Sequence, residues 1–333
     1  MSTETPLLSP ARLDAIDQFR GLAILLMVLA NYAADVETLP AALKHAPDVG
    51  LTIIDLVAPL FIFAIGLTFG PSLRRRVARY GRGATLEHFV RRALALIGIG
   101  SLLGAGEILL GYNPGGYNWG VLQAIGVAIL VALPALSLPA LPRAALGLGL
   151  LAIYQVLLDR FWLESVLASP HGGLPGSLAW GAMLILASAL GDLFYSAGKA
   201  SDANKLSGGY LWSTLLALAG GLLLAVFVPV SKNRVSASYV LISLGVSAVL
   251  FAIIHGLAKR GWLRSHLLRT WGRNPLSLYL LHYLLLALVV LPGIPAWHAQ
   301  APLWLVGLQA AGLAAALSAT GLWLERRGWR LSL

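Results

Sequence analysis

The chain has 333 residues, of which 58% are hydrophobic and 11% charged, less than half of the roughly 25% charged content of a soluble domain. With a mean hydropathy of +0.79 and repeated apolar runs of bilayer-spanning length, this composition excludes a soluble enzyme, a nucleic-acid module and a disordered chain. The absence of cysteine also excludes disulfides, thiolate metal sites and a cysteine acyl carrier, and the net charge of +10 has to be read against span topology before an anionic partner is inferred.

Ten apolar segments run in chain order over 20–34, 51–73, 93–110, 120–138, 144–158, 177–194, 211–230, 239–257, 275–291 and 303–324. About 20 helical residues cross about 30 Å of hydrocarbon, so the shorter segments borrow flanking residues. The runs are continuously apolar and rich in Leu and Ala rather than alternating, which predicts helices and not a β-barrel. The expected fold class is all-α: a polytopic membrane helix bundle of about ten transmembrane helices forming one domain over 1–333.

Charge placement fixes the expected orientation. The N-terminus, the loops 74–92, 139–143, 195–210 and 258–274, and the C-terminus together hold 20 Lys and Arg, against Lys44, Arg160, Lys232 and Arg234 on the opposite side. That asymmetry follows the positive-inside rule, predicting both termini in the cytoplasm. Met1 to Pro10 is polar and no small-residue cleavage site follows it, so the first span is expected to remain in the mature protein. No internal repeat is evident, and the outside loops are short, so the chemistry is expected in or on the bundle.

Polar side chains within hydrocarbon cost several kcal/mol unless paired or hydrated, which makes the few embedded ones site candidates. Asn31 and Tyr32 fall near the outer end of the first segment and Asp55 near the outer start of the second. The outside loop between them, 35–50, carries His45. If the two spans pack as an antiparallel hairpin, Asn31, His45 and Asp55 converge. Imidazole can accept a proton near neutral pH or act as a nucleophile, whereas the ordinary reading of a loop histidine is a solvated side chain. Asp55 can orient that imidazole or hold an acceptor, and Asn31 can donate to an oxyanion or simply join two helices.

Further candidates lie at segment ends. The basic loop 74–92, with Arg74, Arg75, Arg76, Arg79, Arg82, Arg91 and Arg92, can hold phosphates, although topology alone calls for such a loop. Asp17 and Arg20 are spaced to pair along one helix face. Asn274 and His282 are eight residues apart, about two turns, and share a face. No second histidine stands at metal spacing, so no metal is expected. Trp119, Gln123, Lys232 and Asn233 mark other outer helix ends, where an aromatic ring either anchors the interface or stacks on a sugar.

Two long segments, "RLDAIDQFRGLAILLMVLANYAAD" and "KHAPDVGLTIIDLVAPLFIFAIG", resemble the membrane core of the heparan-alpha-glucosaminide N-acetyltransferase family and its bacterial relatives, including the amino-sugar-associated NagX group. "GVLQAIGVAILVA", "PVSKNRVSASYVLISLG" and "NPLSLYLLH" follow in the same order, so the likeness covers most of the chain. It implies transfer of acetyl from cytoplasmic acetyl-CoA to the amine of a glucosamine on the far side of the membrane. Carried over by residue, it puts the active-site histidine at His45 and the asparagine of its "NY" pair at Asn31, both catalytic, and its "DLV.P" aspartate at Asp55.

The expected acceptor is free glucosamine or a short amino-sugar oligosaccharide, contacted by Asp55, Trp119, Gln123, Lys232 and Asn233. Acetyl-CoA is expected against Arg20, Arg74, Arg75, Arg91, Arg92, Arg273, Asn274 and His282. Small residues on several spans are compatible with a homodimer. The first segment is also similar to the wider acyltransferase-3 family, whose first span carries a histidine near its end where this chain has Asn31. Whether His45 acts as a base or carries acetyl stays open here. So do two other readings, an amino-sugar permease and an O-acyltransferase acting on glycan hydroxyls; the lack of an inverted repeat weighs against the permease.

Overall fold

The computed structural model describes residues 10–109, 118–196 and 206–329. Most of the 195–210 connection, the first nine residues and the last four lie outside the described residues. The helices are α1 (Pro10–Ala33), α2 (Val57–Leu109), α3 (Val121–Ala132), α4 (Ala140–Leu157), α5 (Leu163–Leu167), α6 (Gly173–Ser196), α7 (Gly208–Leu224), α8 (Ala237–Lys259), α9 (His266–Arg273), α10 (Pro275–Val290) and α11 (Leu303–Arg326). Among the described residues six helices are long and apolar enough to cross a membrane, and α9 with α10 makes a seventh bent by 90°. The protein is therefore an all-α, multi-pass membrane protein.

Two expected loops are largely helical. The 74–92 segment lies inside α2, which continues through the arginines and breaks only at Gly81 (φ 79°, ψ 171°). A left-handed φ is natural for glycine and costly for a residue with a Cβ, so Gly81 supplies the turn that composition alone assigned to a whole loop. The segment after α4, expected as a loop on the outer side, continues as a π-helical turn, Leu158–Trp162, into α5.

The chain divides into two compact units. The first comprises Met1–Ala46, Thr52–Phe61 and Leu250–Ser332. Within it α1 packs on α9, α10 and α11, and the core gathers Ile24, Val28, Tyr32, Trp271, Leu278 and Leu317. Backbones meet where α1 crosses α9: a Cβ on Gly21 would lie 1.9 Å from the Leu268 carbonyl oxygen, and one on Gly272 1.9 Å from that of Asp17. Small residues allow such an approach, which gains dispersion and polar contacts in a medium where lipid tails offer no hydrophobic contrast.

The second unit comprises Pro47–Leu51, Ile62–Val249 and Leu333. Here α6 is the central helix, with α3, α4 and α7 against it, and Gly66 of α2 faces Ala187 and Ser188. Gly221 of α7 faces Ile242 of α8 in the same way.

Gly21→Ala should destabilise the protein by about 1–3 kcal/mol, because its methyl collides with backbone that cannot yield. Gly98→Ala, with nothing within 4 Å, should leave thermal unfolding in detergent unchanged or slightly raise its midpoint. Equal midpoints for the two variants would contradict the packing described for α1 and α9.

Candidate functional site

A cluster of polar groups in the first unit forms where the chain enters α2. The segment Thr52-Ile53-Ile54-Asp55 has the spacing of a helix-capping sequence, in which the acid of the first turn reaches back to a backbone N–H three residues earlier. Asp55 does this. Its Oδ2 accepts from the Thr52 backbone N–H at 3.0 Å, from the Thr52 hydroxyl at 3.0 Å and from the Ala46 N–H at 3.2 Å. Its Oδ1 accepts from His45 Nδ1 at 2.7 Å.

The Asp55 side chain is 0% exposed, while that of His45 is 39% exposed. A buried carboxylate is expensive unless hydrogen-bonded, and four donors here offset that cost. The consequence for His45 is chemical. A carboxylate only accepts, so Nδ1 carries the proton, and Nε2 of the neutral ring is left with its lone pair. Of the two roles expected for Asp55, holding the acceptor or orienting His45, the bonds on its oxygens and its enclosed side chain favour the second. Thr52 was not anticipated, although its three-residue spacing from Asp55 ahead of an apolar run was a usable signal.

Asn31 meets a residue 251 positions away. Its Nδ2 lies 2.9 Å from His282 Nε2, and His282 Nδ1 bonds the Tyr279 carbonyl one turn back. A carbonyl accepts only, so Nδ1 is the protonated nitrogen and Nε2 accepts from the Asn31 amide. Both ring nitrogens of His282 are thus engaged, and the ring is 0% exposed. His282 was expected to contact the cofactor; the structure places both its ring nitrogens on protein partners, one of them the Asn31 amide. His282 shares α10 with Tyr279 and Tyr283, whose rings pack against it. Asn274 does not lie along the same straight helix as His282: it is the residue at the break between α9 and α10.

The expected cationic residues are largely engaged by carboxylates. Arg20 lies 3.5 Å from Asp17 and donates to the Gly272 carbonyl. Arg273 pairs with both Asp17 and Glu325, and Arg91 pairs with Glu87 one turn earlier. Arg74 grips Asp192 through two nitrogens, at 2.8 and 3.2 Å. Arg75 is exposed and Arg92 is half-buried. Arg143, placed by sequence in a short loop, instead sits buried in α4, bonded to Asp192, Ser188 and the Leu138 carbonyl. No local periodicity announces a buried arginine whose partners come from another helix.

In the second unit, Trp119 donates to the Ser177 hydroxyl at 3.2 Å. Gln123 is buried, and a Cβ on Gly100 would come within 2.3 Å of its Oε1, so that glycine makes room for the amide. Lys232 is half-buried, and Asn233 Nδ2 donates to the Pro47 carbonyl at 2.8 Å. The neighbouring pair was missed: Asp48 receives Arg234 through Nε and Nη2 and the Ser231 hydroxyl at 2.8 Å. Gly50 N–H adds a bond to the Val230 carbonyl. Segment 47–51 is therefore sewn to 229–234 at several points. The Arg234 hydrogen bonds, opposed by burial, hold the Asp48 carboxyl below the ordinary carboxylate range.

Among the described residues no group of three or more His, Cys, Asp or Glu is arranged to hold a metal ion. The helices define a multi-pass membrane protein, and its half-exposed His45 imidazole is hydrogen-bonded to a buried carboxylate. Comparison with known families gives the particular class. The family model described as "Heparan-alpha-glucosaminide N-acetyltransferase, catalytic" matches residues 12–228, well over half of the chain, and the protein belongs to that family. It is similar to human heparan-alpha-glucosaminide N-acetyltransferase (Homo sapiens), with 34% identity over 132 residues covering 37% of this chain and 18% of that protein. Its likeness to the mouse enzyme (Mus musculus) is 35% identity over 135 residues, covering 38% of this chain and 20% of that protein. The match thus spans a fifth or less of either relative's length.

A lowered carboxyl pKa contributes stability that is complete above the ordinary value and lost as pH falls through the folded one. The Asp48 contribution should therefore persist at neutral pH and disappear below about pH 4. Asp48→Asn should flatten the acid limb of the melting temperature plotted against pH. An acid limb identical to that of the unaltered protein would contradict the assignment.

Proposed function

We propose that this protein is a transmembrane acetyltransferase that moves acetyl from cytoplasmic acetyl-CoA to the amino group of glucosamine, or of a short amino-sugar oligosaccharide, on the periplasmic side of a bacterial inner membrane. The observation that carries the reading is the His45–Asp55 pair within a chain of this family. Amide formation needs the acceptor ammonium to lose a proton before its nitrogen can attack a thioester. The nitrogen sheds a second proton as it attacks, and a neutral imidazole whose Nδ1–H is held by a carboxylate offers Nε2 for it, while the carboxylate stabilises the imidazolium that results.

The steps balance once the ammonium has released one proton to water. The neutral amine nitrogen bonds to the thioester carbonyl carbon as His45 Nε2 takes a second proton from it. The oxyanion formed is met by an N–H of Asn31, whose amide His282 orients. The carbon–sulfur bond then breaks, and the leaving thiolate takes a proton from the imidazolium. Acetyl reaches nitrogen as an amide, CoA leaves as its thiol, and His45 returns to its neutral form.

The topology proposed is ten crossings with both termini in the cytoplasm. Ten follows when the two halves of α2 are counted separately, the bent α9–α10 pair once, and the shorter apolar helices Val121–Ser137 and Gly208–Leu224 once each. A 17-residue helix rises about 26 Å, close to the thickness of a hydrocarbon core. The distribution of 20 against 4 basic residues supports the orientation. The exposed arginines of 74–92 then supply a cytoplasmic surface for phosphates.

Sealed vesicles carrying the protein, given acetyl-labelled acetyl-CoA on the cytoplasmic side and glucosamine on the other, should yield amide-linked labelled N-acetylglucosamine. Uptake of unmodified sugar without label transfer would identify a permease, and ester-linked label would identify an O-acyltransferase. His45→Ala should lower turnover by about 10²–10⁴-fold while the protein stays folded. Asp55→Asn should lower it by a comparable factor through the wrong tautomer. His282→Leu should reduce kcat by about tenfold, the scale of one hydrogen bond, and leave the acceptor KM nearly unchanged. Near-normal turnover in His45→Ala would overturn the mechanism.

A further inference from the structure

The break between α9 and α10 holds a feature that the reaction above does not use. Asn274 is 2% exposed and stands between Arg273, the last residue of α9, and Pro275, the first of α10. Its Nδ2 donates to the Thr270 carbonyl at 3.1 Å. That bond fixes the amide's orientation, since a flipped amide would set oxygen against oxygen. The Asn274 Oδ1 that results is buried and has no hydrogen-bond partner among the described residues. An orphaned buried acceptor costs about 1–3 kcal/mol and calls for a donor.

Asn274 makes no side-chain cap bond to α10. The first-turn N–H groups of a helix have no intrahelical acceptor, so those of Leu276 and Ser277 are donors of the same helix start, unbonded to Asn274 Oδ1. A buried acceptor on the residue that precedes a helix start with free N–H groups matches a secondary amide, which presents one N–H and one carbonyl. A free anion fits poorly. Charges around the break are already balanced: Arg269 pairs with Asp14, and Arg20 and Arg273 pair with Asp17 and Glu325. With cations and carboxylates matched, the site offers hydrogen bonds rather than net positive potential. This separates its chemistry from the phosphate-binding role that the arginines at 20 and 273 suggested in sequence.

We propose that Asn274 Oδ1 accepts a hydrogen bond from an amide N–H in the pantetheine arm of the acyl donor, with the N-terminus of α10 receiving that amide's carbonyl. The inference rests on the acetyl-CoA reading, because that arm carries two secondary amides between nucleotide and thioester. Asn274 is thereby a binding residue for the arm and takes no part in proton transfer.

The test measures binding and not turnover. S-acetylpantetheine, which lacks the nucleotide and its phosphates, would be titrated calorimetrically into detergent-solubilised full-length protein, together with two analogues in which one amide N–H or the other is replaced by ester oxygen. The unaltered protein should bind one ester analogue about tenfold more weakly than the parent, and Asn274→Leu should bind both equally. Asn274→Asp keeps an acceptor oxygen and guards against a variant that fails to fold; it should retain the preference for the amide. Equal affinity of the unaltered protein for all three compounds, as expected if water satisfies Oδ1, would overturn the proposal, and so would an undiminished preference in Asn274→Leu. Failure of the acetyl-CoA reading looks different: neither S-acetylpantetheine nor CoA itself would bind at all.

Discussion

One buried carboxylate governs the candidate site. Asp55 gathers two backbone N–H groups, a hydroxyl and an imidazole on its two oxygens, and each bond has a separate consequence. The bonds to Thr52 shape the first turn leading into α2. The bond to Ala46 ties down the residue after His45. The bond to His45 selects which ring nitrogen keeps a lone pair. A carboxylate left with fewer donors at 0% side-chain exposure would be costly to bury, so local folding and preparation of the imidazole are a single event.

A second histidine uses the same chemistry for a different end. His282 gives its Nδ1–H to a carbonyl of its own helix and receives the Asn31 amide on Nε2. Buried among aromatic rings, it has no polar atom left over for a ligand. His45, more than a third exposed, has one. Two imidazoles in the same tautomer thus differ in exposure and in what occupies Nε2, and in the proposed reaction it is the exposed one that exchanges a proton with the substrate.

Much of this was legible in the sequence. Continuous apolar runs were enough for helices and for a membrane, and the cost of polar groups in hydrocarbon singled out Asn31 and Asp55. His45 stood out through the motif around it. The pairing of Asn31 with His282 was not legible, because a contact across 251 residues depends on how α1 packs, and local periodicity is silent on that. Arg143 and Gly81 illustrate the same limit from opposite directions. A basic residue near a helix end reads as a loop, yet Arg143 is buried because Asp192 and Ser188 lie within reach of its guanidinium. A run of arginines also reads as a loop, yet a single left-handed glycine suffices to turn the chain. The contacts of Gly21 and Gly272 were invisible for a related reason, since glycine is scattered through every span and only packing distinguishes those that backbones require.

The central claim is that Asp55 holds His45 with its proton on Nδ1 and its lone pair on Nε2. Nitrogen-15 chemical shifts of the histidine rings, in selectively labelled protein with His45→Ala used to assign the signal, report this state directly. The account predicts an Nδ1-protonated ring whose Nδ1 proton is shifted far downfield by a short hydrogen bond, with that signal lost in Asp55→Asn. A His45 ring found with its proton on Nε2, or averaging freely between tautomers and indifferent to Asp55, would contradict it.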